Sequence, residues 1–173
     1  LNGVIQADGI EYFCHVFAPK KQMLLIGSAH ITSEMISLAE KFDFETIVID
    51  PRDTFAKKTI YDVKPDQLHV KWPQEILPDL SLDRNMFAVI LSHDPKIDDE
   101  ALKILIDSEV SYIGALGSKR SHAKRVDRLK EYGFTEQQID FIHAPIGIPI
   151  NSLSPKEIAL SVMAEVIKVK NER

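Results

Sequence analysis

Residues 22–50 read QMLLIGSAHITSEMISLAEKFDFETIVID, and this stretch decides the fold. QMLLI is a short, nearly continuous apolar run, the pattern of a strand buried on both faces of a parallel sheet. It runs directly into Gly27. From Ile31 to Phe42 the apolar residues Ile31, Met35, Leu38, Ala39 and Phe42 recur at helical spacing. Thr46-Ile47-Val48-Ile49 then reads as a second buried strand, ending at Asp50. The sum is a βαβ unit.

The same alternation continues outward from it. Phe87–Leu91 is a strong strand, Asp99–Ser108 a helix candidate, Val110–Ile113 a strand and Lys119–Tyr132 a basic helix closed by Gly133. Thr135 begins a short helix to Phe141. Ser154-Pro155-Lys156-Glu157 opens the last helix with a capping Ser, a Pro at the first helical position and a Glu three residues after the cap. Residues 51–85 carry Pro65, Pro73 and Pro78 and read as irregular. Before the βαβ unit, IEYFCHVF at 10–17 has strand composition and leads to a break at Pro19. The expected fold is therefore α/β: a doubly wound, mostly parallel sheet with helices on both faces and a short leading β segment. Residues 1–19 form that segment, a remnant of or link to an upstream domain, and 20–173 form the main domain.

With 173 residues and 45% apolar composition, the chain can bury one substantial core. A net charge of −5 and a pI of about 5.7 give no global attraction to nucleic acid or to anionic membranes. No apolar run approaches the roughly 20 residues that span a bilayer. The first residues lack the pattern of a signal peptide, so a cytoplasmic location is expected. The chain starts at Leu1 without an initiator Met, which is compatible with a longer natural protein. Cys14 is the single cysteine. It cannot make an internal disulfide, no zinc-site spacing surrounds it, and it reads as a small core residue of the leading strand.

In an open α/β sheet the ligand crevice lies outside the carboxyl ends of the strands, and four loops end strands that way. The first, Gly27–Thr32, stands where a dinucleotide fold places G-x-G-x-x-G and aims backbone N–H groups at a phosphate. Only its first glycine is present; Ala29 and His30 complete its tip. Asp50, 23 residues after Gly27, stands where a carboxylate accepts ribose hydroxyls, or else caps the turn through Pro51, Arg52 and Asp53. The second loop, Ser92–Asp99, holds His93, Asp94, Asp98 and Asp99. A ligand-contacting His93 competes there with plain capping of the next helix by Asp98 or Asp99. A metal site lacks a clear ligand set.

The third loop runs from Gly114 through Gly117 and Ser118 into Lys119, Arg120, His122, Lys124 and Arg125. Cations at a helix N-terminus oppose the local dipole by a few tenths to about 1 kcal/mol each, and a bound anion reverses that penalty. Gly114 and Gly117 would let a ligand approach; Ser118, Lys119, Arg120 or Arg125 would bind its oxygens. Arg128 and Lys130 read as a solvated face. The fourth loop, His143–Ile150, is apolar, with Gly147 at its centre, and either covers a flat ring or packs as a connection.

Together GSAHIT at 27–32, LSHDPKIDD at 91–99, YIGALGSKRSHAKR at 112–125, HAPIGIPI at 143–150 and SPKEIALSVMAEV at 154–166 resemble the successive signatures of the xanthine dehydrogenase accessory (XdhC/CoxI) family. The resemblance covers roughly residues 20 to 170. It implies a Rossmann-like C-terminal domain of a non-enzymatic maturation factor for molybdenum hydroxylases. That factor binds the molybdenum cofactor or molybdopterin, assists its sulfuration and inserts it into the apoenzyme. The implied partners are a molybdenum hydroxylase apoenzyme, a cysteine desulfurase and a further copy of the chain, with neither nucleic acid nor membrane. The crevice residues implied are Gly27, Ala29, His30, Asp50, Ser92, His93, Asp94, Gly114, Gly117, Ser118, Lys119, Arg120, His122 and Gly147. Where the family usually has a loop close to GAGHVG, this chain has GSAHIT, which counts against tight dinucleotide binding. Cys14 does not inherit the role of the cysteine in the family's separate N-terminal domain. The alternatives are an NAD(P)-dependent oxidoreductase, with Asp50 on the ribose and the Gly27 turn on the pyrophosphate, and a nucleotide-sensing module.

Overall fold

The structure, a computed structural model, describes residues 3–15, 19–52 and 63–172. Two strands, β1 (Gly3–Ala7) and β2 (Ile10–Cys14), pair antiparallel as a hairpin. The main sheet comprises β3 (Lys21–Ile26), β4 (Phe44–Ile49), β5 (Gln67–His69), β6 (Met86–Ile90), β7 (Tyr112–Ala115) and β8 (Ile142–His143). Their order is β5-β4-β3-β6-β7-β8, every neighbouring pair being parallel. Chain order reverses between β3 and β6, so the loops that follow these two strands flank the switch point where such sheets hold ligands.

The described helices are α1 (His30–Lys41), α2 (Pro73–Ile76), α3 (Pro95–Leu105), α4 (Lys119–Glu131), α5 (Glu136–Ile139) and α6 (Pro155–Asn171), with a 3₁₀ turn at Leu77–Asp79. Because side chains alternate along a strand, β3 feeds two cores. Met23 and Leu25 pack with Met35 and Ala39 of α1 and with Val162 and Val166 of α6. Leu24 and Ile26 pack with Leu102 and Leu105 of α3 and Leu129 of α4 on the opposite face. This is the doubly wound arrangement expected. No described helix is long and apolar enough to cross a membrane.

Several local expectations change. The leading strand stops at Cys14, and its residues Val16 and Phe17 lie outside the described residues. Cys14 is half-buried on a hairpin whose other residues are exposed, so it is no part of the main core. α3 begins at Pro95, four residues earlier than the apolar period indicated, because Asp94 supplies the cap: its carboxylate accepts from the Lys96 N–H at 3.0 Å. Asp98 and Asp99 are thereby freed from capping and lie buried inside the helix. β7 sits two residues further along than Val110–Ile113. The prolines of 65–78 hid β5 and α2. At α6 the capping box forms as read, with the Glu157 N–H donating to Ser154 Oγ and the Ser154 N–H donating to Glu157 Oε2.

Candidate functional site

The turn after β3 folds inward on itself. Gly27 adopts φ +101°, and a Cβ there would lie 2.5 Å from Ser92 Cα. The glycine therefore serves the close approach of the loops after β3 and β6. The Ser28 N–H donates to Asp50 Oδ2 at 2.6 Å, and the Ala29 N–H donates to Thr32 Oγ1 at 3.1 Å. Thr32 in turn donates to the Gly27 carbonyl at 2.8 Å. Two of the N–H groups that a dinucleotide fold aims at a phosphate, those of Ser28 and Ala29, are here taken by Asp50 at the end of β4 and by Thr32 of the turn itself. Asp50 is 0% exposed and also accepts from Arg52, through Nε at 2.9 Å and Nη2 at 2.7 Å. The Asp50 carboxylate also accepts from the Arg52 backbone N–H at 2.9 Å, so it caps the turn as the alternative reading had it and is not presented to a ribose. Asp53 lies outside the described residues.

The loop after β6 is held by Ser92, whose Oγ donates to Asp98 Oδ1 at 2.5 Å and accepts from the Asp94 N–H at 3.0 Å. His93 follows at φ +59°, exposed. Burial pushes the Asp98 carboxyl above the usual carboxylate range, against the pull of Ser92 and Arg125. Arg125 of α4 approaches Asp98 Oδ2 at 3.4 Å, and Arg128 grips Asp99 with two bonds of 2.5 and 2.9 Å. Arg128 is thus a strut between α3 and α4, contrary to the solvated reading, whereas Lys130 is exposed and pairs with exposed Glu136.

Two adjoining cavities open at these loops. The larger, about 380 Å³, is lined by Ala29, His30 and Ile31 from the first loop and α1, and by His93, Leu116 and Gly117. Pro155 and Ile158 of α6 close it. The smaller, about 160 Å³, shares His93, Leu116 and Gly117 and continues past Asp98, Ser121, Lys124 and Arg125. Gly117 has φ +139°, and a Cβ there would meet Ser121 Cβ at 3.2 Å. A further cavity of about 450 Å³ lies on the outer side of α2, α3 and α4, between Trp72 and Tyr132, and none of its walls comes from the loops after β3 or β7.

Of the residues anticipated from sequence, Ala29, His30, His93 and Gly117 meet in this two-lobed crevice. Ser118 caps α4, its Oγ accepting from the Ser121 N–H at 3.1 Å, while Lys119 and Arg120 are exposed and line neither lobe. His122 is half-buried beside Arg125; burial first and the guanidinium second lower its basicity, and its Nδ1 has no hydrogen-bond partner among the described residues. Gly114 is buried inside β7, where a Cβ would overlap Ile146 and the Tyr112 hydroxyl, so its reason is packing and not ligand approach. The Gly147 N–H donates to Glu165 Oε2 at 2.9 Å in the packed connection to α6.

Sequence reading missed this last network. The Tyr112 hydroxyl also donates to Glu165 Oε2, at 2.5 Å, and His143 Nδ1 lies 3.5 Å from Oε1. Its signal was Glu165 on the otherwise apolar stripe of α6. Asp98 and Arg125 carried the same signal, at 98-101-102-105 on α3 and 125-129 on α4. Among the described residues, no group of three or more His, Cys, Asp or Glu side chains is placed to hold a metal ion.

A family model described as the XdhC Rossmann domain matches residues 23–166. The chain belongs to that family. Among relatives of this XdhC-type domain, a Bacillus subtilis protein described as part of a probable xanthine dehydrogenase is 28% identical over 158 residues, 91% of this chain and 46% of its own length. An Escherichia coli protein described as the molybdenum cofactor insertion chaperone PaoD is 34% identical over 89 residues, 51% of this chain and 28% of its own. A crystal structure described as a xanthine dehydrogenase from Bacillus halodurans superposes with a TM-score of 0.79 at 27% identity, over 96% of this chain and 47% of that one. The XdhC-type chain therefore spans about half the length, or less, of these proteins.

Proposed function

We propose that this domain is the cofactor-binding part of an accessory protein for a molybdenum hydroxylase, holding the molybdenum cofactor or molybdopterin for sulfuration and insertion. The observation that carries the reading is the similarity to a molybdenum cofactor insertion chaperone in a chain whose switch-point loops leave a two-lobed crevice. The donor set suits the ligand. Ile31, Leu116, Pro155 and Ile158 offer apolar walls to a flat pterin, and His30 and His93 stand at its edge with ring nitrogens that can bond to the pterin's amide and amine groups. When bound, the cofactor supplies the redox-active metal centre of the target hydroxylase; the chain's own residues bind it, orient it and exclude water.

The role is retention and hand-over, with docking to the hydroxylase apoenzyme, a cysteine desulfurase and a second copy as parts of the same proposal. The NAD(P) alternative is weakened by the turn after β3, whose N–H groups and Asp50 are already engaged. Calorimetry with molybdopterin and with the molybdenum cofactor, beside NAD(H) and NADP(H), tests the reading. Binding of the pterin ligands, weakened by Ile158→Glu, is the expected result; nicotinamide binding without pterin binding overturns it.

A further inference from the structure

The smaller lobe holds more positive charge than its walls require. Arg125 is 4% exposed and, among the described residues, hydrogen-bonds only through Nη2, at 3.1 Å to the Leu116 carbonyl and 3.4 Å to Asp98. Its Nε and Nη1, which carry most of the guanidinium's N–H donors, are buried and find no hydrogen-bond partner among the described residues. Leaving such donors unmet is unfavourable unless something completes them. Arg128 in the same wall is matched by its bidentate contact with Asp99. Lys124 and Arg125 face a single further carboxylate, Asp98, which Ser92 already engages. The lobe also lies beside the N-terminal turns of the thirteen-residue helix α4, whose first turn contains no acidic residue. Gly117 keeps the approach open, because a Cβ there would stand 4.0 Å from Arg125 Nη2 and against Ser121.

We infer that the lobe formed by Gly117, Ser121, Lys124 and Arg125 is a subsite for the phosphate monoester of a ligand whose flat part occupies the adjoining apolar lobe. This deepens the proposed function and rests on the same crevice. Of the cations the sequence offered, the exposed Lys119 and Arg120 and the buried Arg125, it keeps Arg125 and adds its neighbour Lys124. The cavity of about 160 Å³ admits one tetrahedral oxyanion with its ester link, the bulk of the ligand lying beyond His93 and Leu116.

The test uses probes that separate phosphate from ring. Inorganic phosphate is titrated against chloride at equal ionic strength, and AMP is compared with adenosine, by calorimetry on the whole chain. Phosphate is expected to bind and to displace AMP, and AMP to exceed adenosine in affinity on the order of tenfold or more, as one or two charge-assisted hydrogen bonds provide. Arg125→Met should erase that advantage. Because it strands Asp98 and can unfold the domain, Lys124→Glu at an exposed position asks the same question, with circular dichroism confirming the fold. The inference fails if phosphate acts no differently from chloride and AMP binds like adenosine, or if Lys124→Glu keeps the full advantage. Molybdopterin is titrated separately. AMP selectivity without molybdopterin binding would leave the subsite standing and remove the cofactor reading; equal molybdopterin affinity in wild type and Lys124→Glu would do the reverse.

Discussion

Replacing Gly27 with Ala probes the contact on which the crevice depends. Two penalties combine. At φ +101° an L-residue is strained by about 1–3 kcal/mol. The new methyl would also lie 2.5 Å from Ser92 Cα and 2.6 Å from Ser92 N, backbone atoms fixed by the β6 strand end, and relieving such overpacking costs about 1–3 kcal/mol. The expected loss is about 2–6 kcal/mol, a large share of the roughly 5–15 kcal/mol that stabilises a typical domain. In thermal unfolding it should appear as a drop of about 4–24 °C for a chain of this size. Gly133→Ala is the internal control: φ is +94°, but nothing lies within 4 Å of its Cβ position. It should show strain alone, so urea unfolding of the two variants followed by circular dichroism isolates the overlap with Ser92. Equal losses in both, or less than about 1 kcal/mol for Gly27→Ala, would refute the claim that this glycine exists for the β3–β6 loop contact.

Arg128→Met should destabilise by about 1–3 kcal/mol in urea titrations, because it strands Asp99, which is 4% exposed; Lys130→Ala, which breaks an exposed pair, should leave the midpoint unchanged. A loss of about 1–2 kcal/mol is expected for Tyr112→Phe, which leaves Glu165 with one donor fewer; an unchanged midpoint would mean that the 2.5 Å bond contributes nothing. Burial works against ionisation of Glu165, but bonds from His143, Tyr112 and Gly147 outweigh it and hold the carboxyl below its ordinary value of 4.5. The stability this group adds is complete above that value and is lost as pH falls through the lower folded value. Acid titration of Glu165→Gln should therefore show a shallower decline than wild type below about pH 4.5, and identical slopes would count against the network.

Much of the fold was legible because its strongest signals are periodic. QMLLI and TIVI are nearly continuous apolar runs, as strands covered on both faces must be, α1 and α6 carry their apolar stripes openly, and α6 its cap. The short edge strands β5 and β8 escaped because three or two residues do not establish a period, and prolines stood beside them. At the site, sequence identified the loops but not what their groups do. A Gly27 turn looks the same whether its N–H groups face outward to a phosphate or inward to Asp50 and Thr32; only the fold brings Asp50 within 2.6 Å of Ser28. Ala29, His30, His93 and Gly117 were placed by strand-end logic, which is a property of topology. Lys119 and Arg120 were favoured for sitting in the first turn of α4, whereas the buried cation is Arg125, one turn later, where the helical period turns it toward the sheet.

The inward-facing turn after β3 has a consequence for how such a domain can change over time. A crevice lined by main-chain donors recognises its ligand through groups that no substitution removes. Here most of the walls are side chains, His30, His93, Leu116, Ile158 and Lys124 among them, supported on a turn whose Ser28 and Ala29 N–H groups are engaged internally. Each can be exchanged by a single codon without disturbing the turn's own bonds, so related domains can share this scaffold and its stability while diverging in what they carry.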